Sequence, residues 1–241
     1  MKNFIVLLCI GSSLFSYAQS GIIHYKAQMN LQHQKEFIEE IKKDETVTMS
    51  VKQQIINLYK NAEPDYYELH FNANESYYFK DESLKKEEGY KMGSKAGQSP
   101  YYTNANSNAI IEDNSIFNFV SQEPLDWKIT NERIKINGIE CYKATSTEIL
   151  YSRQGHFYDR DVVAWFAPEY SVKFGPKMYS GLPGLVIEVE RKEFTITATK
   201  INLNPDKKRL KIKPVGKDEK ITSQKETYQK IAEMMEYRKK N

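Results

Sequence analysis

Residues 174–189, Phe174-Gly175-Pro176-Lys177-Met178-Tyr179-Ser180-Gly181-Leu182-Pro183-Gly184-Leu185-Val186-Ile187-Glu188-Val189, constrain the fold of this chain more than any other stretch. A Gly-Pro break, a short polar step and a tight Pro-Gly turn lead into an apolar run of strand length. Pro183 pre-sets the φ of the second position of a reverse turn, and Gly184 is expected to take the positive φ of a type II turn at the third. The two breaks are read as chain reversals that set a strand at Trp165-Phe166 beside one over 185–189. The glycines here lack the polar neighbours that accompany phosphate-binding loops.

Period-two alternation fills much of the remaining chain. Ile23, Tyr25, Ala27 and Met29 alternate with His24, Lys26 and Gln28, which predicts a half-buried strand. Phe37, Ile38 and Ile41 fall at helical spacing within 32–43, so a short amphipathic helix or ordered loop is expected there. Strand chemistry returns over 46–51 and 66–71, and after an Asn72-to-Glu75 turn again over 76–79. Asn137-Gly138 lies between Ile134-Lys135-Ile136 and Ile139-Glu140-Cys141-Tyr142 and predicts a type I′ hairpin. The second of those strands extends through 144–151, and Asp161 to Phe166 forms a further strand. The runs 185–190 and 194–201 predict another hairpin. Residues 81–109 are rich in Lys, Glu, Gly, Ser and Asn and are expected to form a mobile surface loop, either a tolerated insertion or a lid. Its Tyr101-Tyr102 pair is a candidate partner contact. At the end of the chain Ser223 and Glu226 have capping-box spacing, and Tyr228, Ile231 and Met235 share a face of a helix predicted over about 222–239. Twelve Lys or Arg against six Asp or Glu make the tail from Asp206 basic. The expected fold is mainly β: an antiparallel meander, a curved sheet or half-barrel, with one or two covering helices, including the amphipathic one at the C-terminus. One domain spans 19–241.

Residues 1–18 read as a signal peptide: Lys2 supplies the positive start, Phe4 to Ile10 the apolar core, and Ser16-Tyr17-Ala18 the small residues before a cleavage at Gln19. The apolar run is shorter than the ~20 residues that span a bilayer, and no second run exists, so the mature chain is expected to carry no transmembrane segment. The protein is therefore expected to be exported, to the periplasm, the cell surface or the medium. Removing Lys2 lowers the formal charge from +3 to +2, which argues against a nucleic-acid-binding surface. The mature chain keeps one cysteine, Cys141, which cannot form an internal disulfide and reads as a small buried residue on a strand.

Catalytic motifs are missing from the sequence. The four histidines, His24, His33, His70 and His156, show no ligand spacing, and no nucleophile elbow, Walker loop or dinucleotide fingerprint is present. The one polar cluster gathers His156, Tyr158, Asp159, Arg160 and Asp161. His156, Asp159 and Asp161 are weak metal candidates, and a charged hairpin loop explains them as well. No catalytic residue and no cofactor is assigned.

The 174–189 stretch resembles the signature of the GLPGLI family of bacterial envelope proteins, carried here by Gly175, Pro176, Gly181, Leu182, Pro183, Gly184 and Leu185, with Val186 where the signature ends in Ile. The resemblance extends more loosely to the Phe71–Tyr77 element and the 136–144 hairpin. It implies a periplasmic or surface accessory role, beside an outer-membrane transporter, another envelope protein or a peptide. The predicted layout is also similar to the half-barrel of periplasmic lipoprotein carriers, which implies an apolar cavity for a lipid. Trp127, Trp165, Phe166 and Phe174 are the aromatic candidates for lining it.

Overall fold

The computed structural model describes residues 20–82, 91–152 and 154–240. The leader with its Cys9, and residues 83–90 near the start of the expected loop, lie outside the described residues. Among the described residues, twelve strands form one sheet. They are β1 (Gly21–Met29), β2 (Asp65–Phe71), β3 (Glu75–Lys80), β4 (Tyr101–Asn104), β5 (Ala109–Asn114), β6 (Asn118–Gln122), β7 (Lys128–Ile136), β8 (Ile139–Tyr151), β9 (Phe157–Ala167), β10 (Leu185–Arg191), β11 (Phe194–Leu203) and β12 (Ile221–Ser223). Their order is β12-β6-β5-β4-β3-β2-β1-β11-β10-β9-β8-β7. All neighbours run antiparallel except β12 and β6, which are parallel. The sheet is not closed. Among the described residues three α-helices accompany it: α1 (Leu31–Lys43), α2 (Met49–Lys60) and α3 (Gln224–Lys240). Among the described residues, no helix is long and apolar enough to cross a membrane.

The alternation read from sequence sets which side chains fill the core. Ile23, Tyr25 and Ala27 of β1 are buried with Tyr67, Leu69 and Phe71 of β2, and the same cluster takes Ala164 and Phe166 of β9 and Leu185, Ile187 and Val189 of β10. Tyr25 reaches through this core to donate 2.6 Å to the Val186 carbonyl. The Asn137-Gly138 turn has φ values of 50° and 84°, the left-handed pair that a type I′ hairpin requires.

Three expectations change. Residues 46–51 lead into a helix rather than a strand: Thr48 occupies the N-cap position, and Ile56 and Tyr59 of α2 are buried against Met29 and Ile38, with Tyr59 stacked on Phe37 at 4.0 Å. The 81–109 stretch, where described, is tied down. Asp65 accepts from the backbone N–H and hydroxyl of Ser94 at 2.7 Å each, Tyr67 donates to the Gly97 carbonyl at 2.5 Å, and β4 lies within the stretch. Gly184 does not adopt a positive φ. Its N–H donates to the Leu182 carbonyl at 2.8 Å, closing a three-residue turn around Pro183, and the positive φ falls instead at Gly181, at 90°. Gly184 is needed for space, because a Cβ there would sit 2.4 Å from the Ala167 carbonyl oxygen.

His70 supplies a pH-dependent element of the fold. Its ring is 2% exposed; Nδ1 accepts from the Lys211 N–H at 2.9 Å, so the proton sits on Nε2, which donates 2.7 Å to Glu68. Burial lowers its pKa below the ordinary 6.5, against a partial upward pull from Glu68. As pH falls below 6.5 the unfolded chain takes up this proton before the folded one, so stability drops. The urea midpoint of the wild type is expected to fall between pH 7 and pH 5 more than that of His70→Gln. Parallel curves for the two proteins would refute this assignment.

Candidate functional site

A cleft of about 520 Å³ opens where the two ends of the sheet approach each other. One wall comes from β4, β5 and β6, and the other from the far half of β8. β7 pairs with β8 only as far as Thr145, so the backbone from 146 to 151 is left without a strand on that side. Two side chains bridge the seam: Tyr228 of α3 donates to the Ile149 carbonyl at 3.0 Å, and Ser146 donates to the Asp126 carbonyl at 2.8 Å. The capping box holds the start of α3 in place. The Ser223 N–H donates to Glu226 at 3.0 Å, and the Glu226 N–H donates back to Ser223 Oγ at 3.2 Å.

The cleft floor is charged and little exposed. Glu148 shares the inward phase of β8 with Ala144 and is 3% exposed. It accepts 2.6 Å from the Tyr179 hydroxyl and lies 3.4 Å from Arg191 at the end of β10. Arg191 Nε lies 3.1 Å from Glu193, off line for a hydrogen bond, and Glu193 accepts 2.8 Å from Arg160. Alternating charges thus run Glu148, Arg191, Glu193, Arg160. Burial pushes Glu193 up, but the two guanidiniums outweigh it and hold its carboxyl below the usual range. Burial likewise opposes the charge on Arg191, and Tyr179, Glu148 and Glu193 more than restore it. Tyr179 is held protonated well past its ordinary range, by burial first and then by the charge of Glu148.

Lys177 enters from the Gly-Pro loop. Its amine donates 2.5 Å to the Ala96 carbonyl and lies 5.5 Å from the Tyr101 ring and 5.6 Å from the Phe194 ring. Burial lowers its pKa to about 8, against a partial upward pull from Glu112 and Glu148. Glu112 of β5 accepts from Asn114 at 3.1 Å and from Gln122 at 2.8 Å, and stands opposite Tyr101 in the β4–β5 ladder. Tyr101 too is held protonated, by burial first and then by Glu112.

The residues singled out from sequence are distributed differently. Trp165 and Phe166 are core residues, 7% and 2% exposed, and the Trp165 indole donates to Glu190 at 2.8 Å. Trp127 and Phe174 do meet, at a second cleft of about 260 Å³ also lined by Asn104, Lys173 and Ser180, and the Trp127 indole donates to the Ser180 carbonyl at 3.0 Å. Tyr101 and Tyr102 are both buried, because β4 packs them between β3 and β5, so they are not presented to a partner from a loop tip. His156, Asp159 and Asp161 are exposed: His156 Nδ1 lies 3.1 Å from Ser152, and Asp161 accepts 3.3 Å from Thr147. Among the described residues, no three His, Cys, Asp or Glu side chains gather where a metal could sit. Cys141 is buried and its thiol is pushed up to about 11 by burial. The signature residues Gly175, Pro176, Leu182, Gly184 and Leu185 are buried around the loop that carries Lys177 and Tyr179.

Residues 155–188 match the profile of a family described as a protein of unknown function (Porph_ging). The match runs through β9 and the Gly-Pro loop into β10, and so includes Lys177 and Tyr179. No curated protein matches the chain. Two structures of PNGF-II, in C2 and P21 space groups, are similar over 90% of this chain at 16% identity and a TM-score of 0.47. The chain spans 33% and 34% of their length. A likeness this distant carries neither substrate nor activity across.

Proposed function

We propose that this protein is an exported binding protein of the bacterial envelope that takes a small polar ligand into the seam cleft. The observation that carries this proposal is the charged floor: Glu148, Arg191 and Tyr179 are desolvated together at the base of an open cleft. Buried ion pairs add little to stability compared with apolar residues of similar volume, so a fold has small reason to keep them in a cleft for packing alone. Concave sites that combine apolar walls with a few convergent polar groups are where small ligands bind. The leader motivates export, and the resemblance of the signature motivates an envelope setting, with an outer-membrane transporter as the partner to which ligand is delivered.

An acyl chain fits this chemistry less well. Of the four aromatic candidates, Trp127 and Phe174 share a small and partly polar cleft, whereas Trp165 and Phe166 are buried in the core. Native mass spectrometry of the mature protein from envelope extracts of its host tests the assignment. A small polar adduct is expected on the wild type. It should be lost from Glu123→Trp, which obstructs the cleft mouth from an exposed position. An adduct of lipid mass, or one that Glu123→Trp retains, would overturn the proposal.

A further inference from the structure

We propose that Lys177 is a nucleophilic amine that condenses reversibly with the carbonyl carbon of a small hydroxylated aldehyde held in the seam cleft. The proposal rests on the cleft being the ligand site and adds the chemical class of the ligand.

Lys177 carries two costs at once. Its φ of 53° lies in the left-handed region, which a side chain with a Cβ seldom adopts and which is retained where surrounding structure imposes it. Its side chain is also half-buried with a neutral hydrogen-bond partner, the Ala96 carbonyl, while Glu112 and Glu148 offset the cost of burying its charge only in part. A lysine needed only for its charge would be stabilised by a carboxylate, and one needed only for packing could be methionine. Both costs fall on a residue that lines the cleft, between two tyrosine–glutamate pairs. A lysine desolvated in this way has a larger free-amine fraction near neutrality than a surface lysine, which is how amine nucleophiles are activated.

The step balances without a further reagent. The amine lone pair bonds to the aldehyde carbon, the carbonyl π pair moves to oxygen, and that oxygen takes a proton to give the carbinolamine. The C–O bond then breaks. Oxygen leaves as water, having taken up both amine hydrogens overall, and the carbon–nitrogen double bond of the imine remains. Tyr101 and Tyr179 line the same cleft and keep their protons, the Tyr179 hydroxyl donating its one to Glu148, so the proton taken up by the departing oxygen comes from solvent. Glu112, Asn114 and Gln122 line the same cleft and supply hydrogen-bonding groups for hydroxyls on the ligand, which is why a hydroxylated aldehyde is preferred to an apolar one.

Reductive trapping tests this. The mature wild-type chain is exposed to sub-stoichiometric glycolaldehyde and cyanoborohydride at pH 7.5, and each lysine is quantified by peptide mapping. Lys177 is expected to be modified about tenfold faster than any exposed lysine, the direction its depressed pKa demands. Glu123→Trp should slow trapping at Lys177 and leave the surface lysines unchanged. Comparable rates at all lysines, or a Lys177 rate that Glu123→Trp does not alter, would overturn the proposal. If trapping is uniform while the native adduct is still lost from Glu123→Trp, the covalent step fails and the binding function stands. If the adduct is also retained, both fall.

Discussion

Gly175→Ala is expected to destabilise the protein by about 3 kcal/mol or more, at the upper end of what overpacking costs. A Cβ at this position would sit 2.0 Å from the Tyr179 carbonyl oxygen and 2.8 Å from Val186 Cβ. Neither obstacle is the free end of a flexible side chain. The Val186 N–H is bonded to the Phe174 carbonyl at 3.0 Å, so β10 is tied to the residue that precedes the glycine. Relief therefore requires the loop to move, and with it Lys177 and Tyr179. Gly138→Ala is the control: nothing lies within 4 Å of its added Cβ, and only the φ of 84° is strained, at a cost of about 1 kcal/mol. Urea denaturation followed by tryptophan fluorescence compares the two. Equal losses would show that the Gly175 contact is not the tight one described.

Arg191→Met is expected to cost about 3–5 kcal/mol, because it strands the Glu148 carboxylate with the Tyr179 hydroxyl as its remaining donor. Glu148→Gln in the same background removes the stranded charge and should recover more than half of that loss. The coupling between the two sites, read from a double-mutant cycle, then separates the ion pair from the packing of the long side chains. A double variant no more stable than Arg191→Met would mean that Arg191 acts through its aliphatic stem.

Much of the β-sheet was legible because alternation and turn chemistry agreed. Asn137-Gly138, the 185–201 hairpin and the Ser223 capping box each combine a local conformational requirement with an apolar pattern that points the same way. Residues 46–51 misled because Thr46, Val47, Thr48 and Val51 carry strand propensity. The helical signal lies further on, where Ile55, Ile56 and Tyr59 share the face that packs on α1, and tertiary burial decided it. The 81–109 stretch misled by composition: its anchors, Asp65, Tyr67 and Lys177, lie elsewhere in the chain. The charged floor was harder to read. Glu112, Glu148, Lys177 and Arg191 are ordinary residue types spread over about eighty positions, and no motif joins them. The available signal was one of phase, a glutamate on the inward side of a strand, four residues after Ala144. Lys177 lies inside the signature, whose glycines and prolines carry its backbone requirements and say nothing of the lysine between them.

An open sheet of this size exposes unsatisfied backbone along its two borders, a hazard in a crowded compartment where other chains offer strands. Both borders are blunted. β12 is three residues long, and β7 carries Lys128, Glu132, Arg133 and Lys135 along a ladder broken by an irregularity between Ile129 and Arg133. The third exposed stretch, 146–151 of β8, has Tyr228 bonded to its carbonyl at Ile149. Tyr228 on α3 and the Ser146 bond to Asp126 therefore stand guard over the length of β8 that no strand pairs on this side, and a foreign strand would have to dislodge them before it could lengthen the sheet.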